Sequence, residues 1–282
     1  MSRIDSHLHF WRLARGDYSW LGPQSGQLNR DFQPEQIAGE LSESGVDRVV
    51  VVQAAPTEAE TRYLFGLAKR HPFIAGVVGW VDFGASNVAE RIEALVRDGD
   101  GILKGLRPMV QDIADPEWLA RPQLDQAFQS MISQDLAFDA LVTPRHLPVF
   151  AERLARHPEL RAVIDHAAKP DAAGAELDSW SRDMERVAQQ STAHCKLSGL
   201  LTEGQRKPSP QELDEVIGFL VRTFGPQRLC WGSDWPMLTL RGQFGEWLRM
   251  ARGFVNKHAP GCEEQVFGTN AARLYRLAGW QD

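Results

Sequence analysis

The stretch RVVVVQA, residues 48–54, decides the fold class, because its four consecutive valines leave no polar face for water. A near-continuous run of β-branched residues is typical of a parallel-sheet strand that is buried on both faces. Similar runs recur as IAGVVGWV (74–81) and RAVIDH (161–166). We therefore predict eight buried strands, at Arg3–His9, Arg48–Ala54, Ile74–Val81, Ile102–Arg107, Phe138–Thr143, Ala162–His166, Ala193–Ser198 and Arg228–Gly232.

Helical patterns separate these runs. TEAETRYLFGLAKRHP (57–72) begins with Thr57 and acidic residues and closes on Lys69, Arg70 and a proline, as helix capping and the helix dipole favour. Eight strand–helix units in 282 residues, about 35 residues each, predict an α/β chain forming a single, somewhat distorted (β/α)8 TIM-type barrel over residues 1–282. EEQVFGTNAARLYRLAG (263–279) predicts an extra C-terminal helix that packs outside the barrel or caps one end.

The alternative architecture is an open, doubly wound sheet. The chain contains neither a G-x-G-x-x-G motif after its first strand nor a phosphate-binding loop, so the barrel is favoured. Two long loops are expected to cover the barrel mouth, at 12–30 and 108–121, since long loops in compact domains often serve as lids or binding loops.

Composition excludes several functional classes. A net charge of −6 and the absence of Lys/Arg runs argue against nucleic-acid partners, and the apolar runs are too short to span a membrane. No signal peptide is visible at the polar N-terminus. Cys195, Cys230 and Cys262 are scattered without C-x-x-C spacing, which favours a reducing, cytoplasmic location.

The stretch DSHLHF (5–10) is the first candidate for chemistry. In a strand, residues i and i+2 point to the same face, so the His7 and His9 imidazoles can converge on one point. Taken alone, the motif is most simply a surface His-x-His. The residues at the ends of the other predicted strands favour a functional role instead, because barrel enzymes carry their active sites at the carboxyl ends of the strands.

Ionisable side chains stand at the ends of six of the eight runs: His7, His9, Lys104, Arg107, Arg145, His146, Asp165, His166, Lys169, Lys196 and Asp234. Three imidazoles and a carboxylate (His7, His9, His166 and Asp234) are a plausible ligand set for Zn²⁺ or a similar ion. His166 could instead be a hydrogen-bonded core histidine, and Asp234 a turn residue before a proline. Arg107, Gln111, Arg145, His146 and Trp11 are the candidates for binding substrate hydroxyls or a carboxylate.

The motifs DSHLHFW, KGLRP, TPRHLP, DHAAKP, CKLSGL and GSDWP, in this order and spacing, resemble the amidohydrolase superfamily. The closest resemblance is to its amidohydrolase-2 branch, which contains sugar-acid lactonases such as L-fuconolactonase and L-rhamnonolactonase, and 2-pyrone-4,6-dicarboxylate lactonase. The resemblance implies a distorted barrel and hydrolytic chemistry. It also matches His7 and His9 to the superfamily's first metal-ligand pair, His166 to its strand-six histidine and Asp234 to its strand-eight aspartate.

The chain departs from the two-metal members of that superfamily. They bridge two ions with a strand-four lysine or glutamate and add a histidine at the end of strand five. Here strand four offers Lys104, but His146 lies beyond strand five. We therefore expect at most one divalent metal, with zinc as the expected ion, and metal-independent activity stays an alternative.

The predicted function is hydrolysis of a sugar-acid lactone, such as L-fucono- or L-rhamnonolactone, with no membrane or nucleic-acid partner and a homodimer as a further expectation. Asp234 is the predicted general base, and His9 and His166 are the other predicted catalytic residues. One alternative keeps the site but makes the enzyme a metal-dependent decarboxylase of an aromatic or enoic acid. The other is a non-catalytic barrel that only binds a sugar acid.

Overall fold

The computed structural model describes residues 2–172 and 177–279. All eight predicted strands are present, most of them one or two residues shorter than predicted. They are β1 Arg3–Leu8, β2 Val46–Val52, β3 Ile74–Gly79, β4 Leu103–Leu106, β5 Ala137–Ala140, β6 Ala162–Ile164, β7 His194–Leu197 and β8 Leu229–Trp231.

The strands form one parallel sheet in the order β1 to β8, each paired with its successor in sequence. The sheet curls almost into a closed barrel, and the segment after β8 completes it. Leu8 forms a parallel bridge to Trp235, and the His9 amide donates to the Trp235 carbonyl at 2.7 Å. The predicted (β/α)8 barrel is confirmed.

Helices surround the sheet: α1 Ala38–Glu43, α2 Glu58–Arg70, α3 Val88–Gly99, α4 Asp125–Ser133, α5 Leu147–Arg156, α6 Leu177–Gln190, α7 Pro210–Phe224, α8 Phe244–His258 and α9 Asn270–Leu274. The predicted cap of α2 is present, since the Thr57 hydroxyl accepts from the Glu60 amide at 3.0 Å. Among the described residues, no helix has the length and apolar character needed to cross a membrane.

The C-terminal segment caps one end of the barrel. A π-helical turn, Gln265–Thr269, leads directly into α9. Side chains of this segment, among them Tyr275 and Leu277, pack with inward-facing strand residues such as Ile4, Val50 and Val163. This plug buries the bottom of the barrel, so the opposite end, where the strands finish, is the open one.

Long connections cover that open end, as the loop lengths predicted. In the loop after β1, Trp11 bridges to Phe32, and the Trp20 indole donates to the Ala54 carbonyl at 2.7 Å. These contacts tie the loop to the end of β2. Aromatic side chains therefore form one wall of the barrel mouth.

Candidate active site

A cavity of about 200 Å³ opens at the barrel mouth. Its walls come from residues that directly follow the strands, including Ala54 after β2 and Leu141 after β5. Six of the predicted site residues line it: His9, Trp11, Arg107, Gln111, His166 and Asp234. The remaining lining residues are Trp20, Met109, Asp112, Lys169, Glu203 and Met237.

The histidine pair of β1 converges as its spacing predicts. The two Nε2 atoms of His7 and His9 lie 3.2 Å apart, with His7 fully buried and His9 at the cavity floor. The Nδ1 atom of His9 lies 2.8 Å from the Val52 carbonyl oxygen. Because a carbonyl only accepts, His9 carries a proton on Nδ1 and directs Nε2 into the site.

Backbone in the left-handed region positions the strand-six histidine. Residues His166 to Lys169 all have positive φ, between 51° and 58°. Non-glycine residues in this region cost about 1–3 kcal/mol each, and such strain clusters at functional sites. Local contacts hold the turn in place: His166 Nδ1 lies 2.9 Å from the Ser198 hydroxyl, and the Trp180 indole donates to the Ala167 carbonyl.

Asp234 also has a positive φ, 58°, and its amide donates to the His7 carbonyl at 2.8 Å. Its Oδ1 atom lies 3.3, 3.8 and 4.0 Å from the Nε2 atoms of His9, His7 and His166 respectively. Burial alone would raise the pKa of Asp234, but the surrounding imidazoles outweigh it and hold that pKa below its usual range. Asp234 is therefore a carboxylate at neutral pH.

The donor set fits a divalent cation in number and type. The buried Oδ1 atom of Asp234 has no hydrogen-bond partner among the described residues, and it lies within 4.8 Å of the His7 and His9 ring nitrogens. Ligand atoms bound about 2 Å from a tetrahedral ion lie roughly 3.4 Å from one another, which is close to these separations. His9, His166 and Asp234 line the open space, and the fully buried His7 lies within 4.8 Å of His9 and Asp234.

A buried charge network lies beneath the cavity. Lys196 of β7, fully buried, contacts Asp139 of β5 at 2.5 Å and Asp165 at 2.9 Å. The Tyr275 hydroxyl from the plug donates to Asp139 at 2.7 Å, and Arg107 Nη1 lies 3.4 Å from Asp165. Sequence analysis gave Lys196 and Asp165 no role and missed Asp139 and Tyr275. The available signal was a charged residue inside each short apolar strand, HCKL and AFDA.

Known proteins match this chain over nearly its whole length. The amidohydrolase family model Amidohydro_2 matches residues 4–277. This chain belongs to the amidohydrolase family. It is 43% identical, over 279 residues, to an L-fucono-1,5-lactonase of Burkholderia ambifaria, covering 98% of this chain and 96% of the relative.

Two further relatives of this amidohydrolase support the match. An L-fucono-1,5-lactonase of Burkholderia multivorans is 33% identical over 98% of this chain and 96% of its own length. A crystal structure of an amidohydrolase from Burkholderia multivorans with bound zinc superposes with a TM-score of 0.90 at 32% identity, covering 98% of this chain and 100% of that one. The family predicted from the sequence motifs is confirmed.

Arg145 and His146 do not line the cavity of this amidohydrolase, unlike the other predicted substrate contacts. They lie in a short turn, Pro144–His146, that follows β5. Arg145 donates to the Ile113 carbonyl at 3.0 Å, and the Thr143 amide donates to His146 Nδ1 at 3.1 Å. Both side chains therefore stabilise the loops that frame the cavity.

Lys104, the strand-four lysine, lies far from the histidines of this amidohydrolase. Its Nζ atom donates to the Arg276 carbonyl at 3.1 Å, beside the C-terminal plug. It cannot bridge two ions at the opposite end of the barrel.

Glu60 supports the cavity wall of this amidohydrolase from α2 and provides a test by pH. Its buried carboxylate accepts from the Ala54 and Ala55 amides at 3.0 and 2.7 Å, and burial raises its pKa from 4.5 to about 7. The folded protein thus keeps a proton that the unfolded chain releases. The resulting stabilisation is complete below about pH 4.5 and is lost as pH rises through about 7.

We expect Glu60→Gln to remove this pH dependence, because glutamine keeps the acceptor oxygen but does not ionise. Relative to the variant, the wild-type free energy of unfolding should fall by about 3 kcal/mol between pH 4.5 and pH 8. Denaturant unfolding of both proteins at several pH values measures the difference. A difference between the two proteins that stays constant with pH would show that Glu60 is ionised throughout.

Proposed function

We propose that this amidohydrolase hydrolyses a sugar-acid lactone to the free acid, with L-fucono-1,5-lactone as the leading candidate substrate. The observation that carries the proposal is the Asp234 carboxylate, ringed by three imidazoles on the same cavity as Arg107. The two relatives named L-fucono-1,5-lactonase support the substrate class. Polar groups of both signs line the cavity, as a hydroxylated ring requires.

Asp234 is the proposed general base. Opening a lactone requires a water that loses a proton as it attacks the carbonyl carbon. The Oδ1 atom of Asp234 is ionised and has no hydrogen-bond donor of its own among the described residues, so it can accept that proton. The protonated carboxyl can then return the proton to the ring oxygen as the ester bond breaks.

Arg107 is the proposed donor to the developing oxyanion. Its guanidinium is held by the Gln53 carbonyl and by Asp165, while its buried Nε atom has no partner among the described residues. Because arginine stays charged at neutral pH, this N–H can stabilise negative charge on the substrate carbonyl oxygen. His166, held through Nδ1 by Ser198, is the second candidate donor, through Nε2.

We propose one divalent ion, zinc, as the metal that this site would hold, through His7, His9, His166 and Asp234. When bound, such an ion lowers the pKa of a coordinated water and polarises a carbonyl. The zinc-bound relative supports this choice of ion. Elemental analysis should give no more than one equivalent per chain, and two equivalents would contradict the proposal.

Acid release from a panel of aldonolactones tests the function, with and without a chelator. We expect the highest kcat/KM with L-fucono-1,5-lactone and no loss of ultraviolet absorbance with aromatic acids, which a decarboxylase would consume. Tight lactone binding without turnover would instead identify the non-catalytic barrel. Acid release from none of the lactones would overturn the proposal.

We also propose a cytoplasmic location and a dimeric assembly. All three cysteines are free, and two of them, Cys195 and Cys230, are buried, as suits a protein of the reducing cytoplasm. We propose a homodimer, which sedimentation equilibrium would distinguish from a monomer of 31.6 kDa.

A further inference from the structure

Lys196 contacts one of the site histidines as well as two carboxylates. Besides Asp139 at 2.5 Å and Asp165 at 2.9 Å, its Nζ atom lies 3.0 Å from Nδ1 of His7. All four side chains are fully buried, so water cannot substitute for any of these partners. The contacts to Asp139 and His7 are hydrogen bonds, and the contact to Asp165 is an ion pair.

The direction of the hydrogen bond to His7 follows from this arrangement. An amine enclosed by two carboxylates is an ammonium ion, and an ammonium ion has no lone pair with which to accept. His7 Nδ1 must therefore be the acceptor from Lys196. A neutral imidazole that accepts at one nitrogen carries its proton on the other, so His7 holds its proton on Nε2.

The neighbouring histidine, His9, can accept a hydrogen bond from that Nε2–H group. His9 carries a proton on Nδ1, directed at the Val52 carbonyl, and in the neutral form of the ring its Nε2 is therefore an acceptor. The two Nε2 atoms lie 3.2 Å apart, so His7 donates to His9. One continuous chain of hydrogen bonds then runs from Lys196 through His7 and His9 to Val52, and it leaves Asp234 Oδ1 unpartnered.

We infer that Lys196 is a positioning residue that fixes His7 as the Nε2–H tautomer. In this tautomer His7 is a hydrogen-bond donor within the site and has no lone pair on Nε2 for a metal ion. Metal binding through His7 would first have to move its proton, so Lys196 weakens metal affinity while orienting His9. The inference rests on the proposed function only for its consequence for lactone turnover.

The tautomer can be measured directly in the wild-type protein. Two-dimensional ¹H–¹⁵N correlation spectra of histidine-labelled, metal-free enzyme distinguish the two neutral tautomers by their nitrogen shifts and coupling patterns. The His7 signals are assigned by their loss in His7→Gln. We expect the Nε2–H pattern for His7 and the Nδ1–H pattern for His9. An Nδ1–H pattern for His7 would overturn the inference, and no variant of Lys196 is needed for this result.

Zinc affinity of Lys196→Met provides the second test. Without the ammonium donor, His7 can turn its Nδ1–H toward Asp165, 3.4 Å away, and free Nε2 for the metal. Mutation of a residue that hydrogen-bonds a metal ligand commonly changes metal affinity by about 10–100-fold. We therefore expect Lys196→Met to bind zinc at least about tenfold more tightly than the wild-type protein, measured by competition with a chromophoric chelator. Lys104→Met is the matched control, because Lys104 is also a strand lysine but contacts only the far end of the barrel.

Affinity unchanged or weakened in a folded Lys196→Met protein would contradict the inference. If removing Lys196 prevents folding by leaving two carboxylates unpaired, the wild-type spectrum decides alone. Lactone turnover is scored separately. An Nε2–H tautomer at His7 in a protein that hydrolyses no lactone would end the proposed function and leave the inference standing.

Discussion

Replacement of Asp234 by asparagine is expected to lower kcat on the best lactone by about 10²–10⁴-fold. Asparagine keeps the size and the backbone amide contact to His7, but it cannot accept a proton from the attacking water. The Oδ1 atom lies within 4.0 Å of three imidazole nitrogens, which hold the carboxylate in place at the cavity. Steady-state kinetics of purified Asp234→Asn, with its melting temperature recorded in parallel, measures the effect.

The melting temperature separates catalysis from structure. If Asp234 served only as a turn residue, Asp234→Asn would lose about 0.5–2 kcal/mol of stability while turnover survived. Asp112→Asn is the control, since Asp112 lines the same cavity but is exposed at its rim. We expect that control to keep kcat within about tenfold of wild type. Near-normal turnover in well-folded Asp234→Asn would eliminate the mechanism.

The barrel was predictable because its signal is local and repeated. Runs such as RVVVVQA predict strands that are buried on both faces. Eight such runs that alternate with helices are compatible with few topologies other than the barrel. The closure between β8 and β1 was not predictable. It depends on a bridge from Leu8 to Trp235, a residue outside any apolar run, and no periodic pattern encodes such a contact. The sequence also allowed two positions for the C-terminal segment, outside the barrel or as a cap on one end, and the structure has the cap.

The candidate site was predictable to the extent that its residues follow strand ends. His9, Arg107, His166 and Asp234 meet on one cavity because parallel strands of a barrel finish at a common rim. The same rule failed for Arg145 and His146, because a short turn after β5 directs them into neighbouring loops. The predicted class of reaction, hydrolysis of a sugar-acid lactone, is confirmed by the named relatives.

Below the rim, the same reasoning named Lys196 without giving it a role and missed Asp139. Lys196 and Asp139 lie inside strands that otherwise resemble hydrophobic core, and pairing between two strands far apart in sequence is invisible without the fold. Their complementary charges make each other's burial tolerable, since a single unpaired charge there would be strongly destabilising. The metal that a site prefers also depends on the hydrogen-bond partners of its ligands, because these partners set the tautomer of each histidine ligand.

Gly199→Ala is expected to disable the site through the backbone. Gly199 follows Ser198 at the end of β7 with a φ of +67°, and an added Cβ would lie 2.6 Å from Nδ1 of the His166 ring. His166 is held there by Ser198, so it cannot move aside without losing its hydrogen bond. A displacement of about 1 Å in a catalytic group can cost about 100-fold in rate, and we expect a loss of that order in kcat/KM.

Stability should fall in the same variant. Left-handed backbone at a non-glycine residue and overpacking each cost about 1–3 kcal/mol, which together correspond to a decrease in Tm of roughly 5–15 °C for a chain of this size. Gly253→Ala is the matched control, because Gly253 lies within α8 and an added Cβ there meets nothing within 4 Å. Alanine favours a helix over glycine, so this control should keep full activity and gain up to about 1 kcal/mol. If Gly199→Ala instead retained both the wild-type Tm and the wild-type kcat/KM, His166 would be free to move, and the rigid positioning of the strand-six histidine would be wrong.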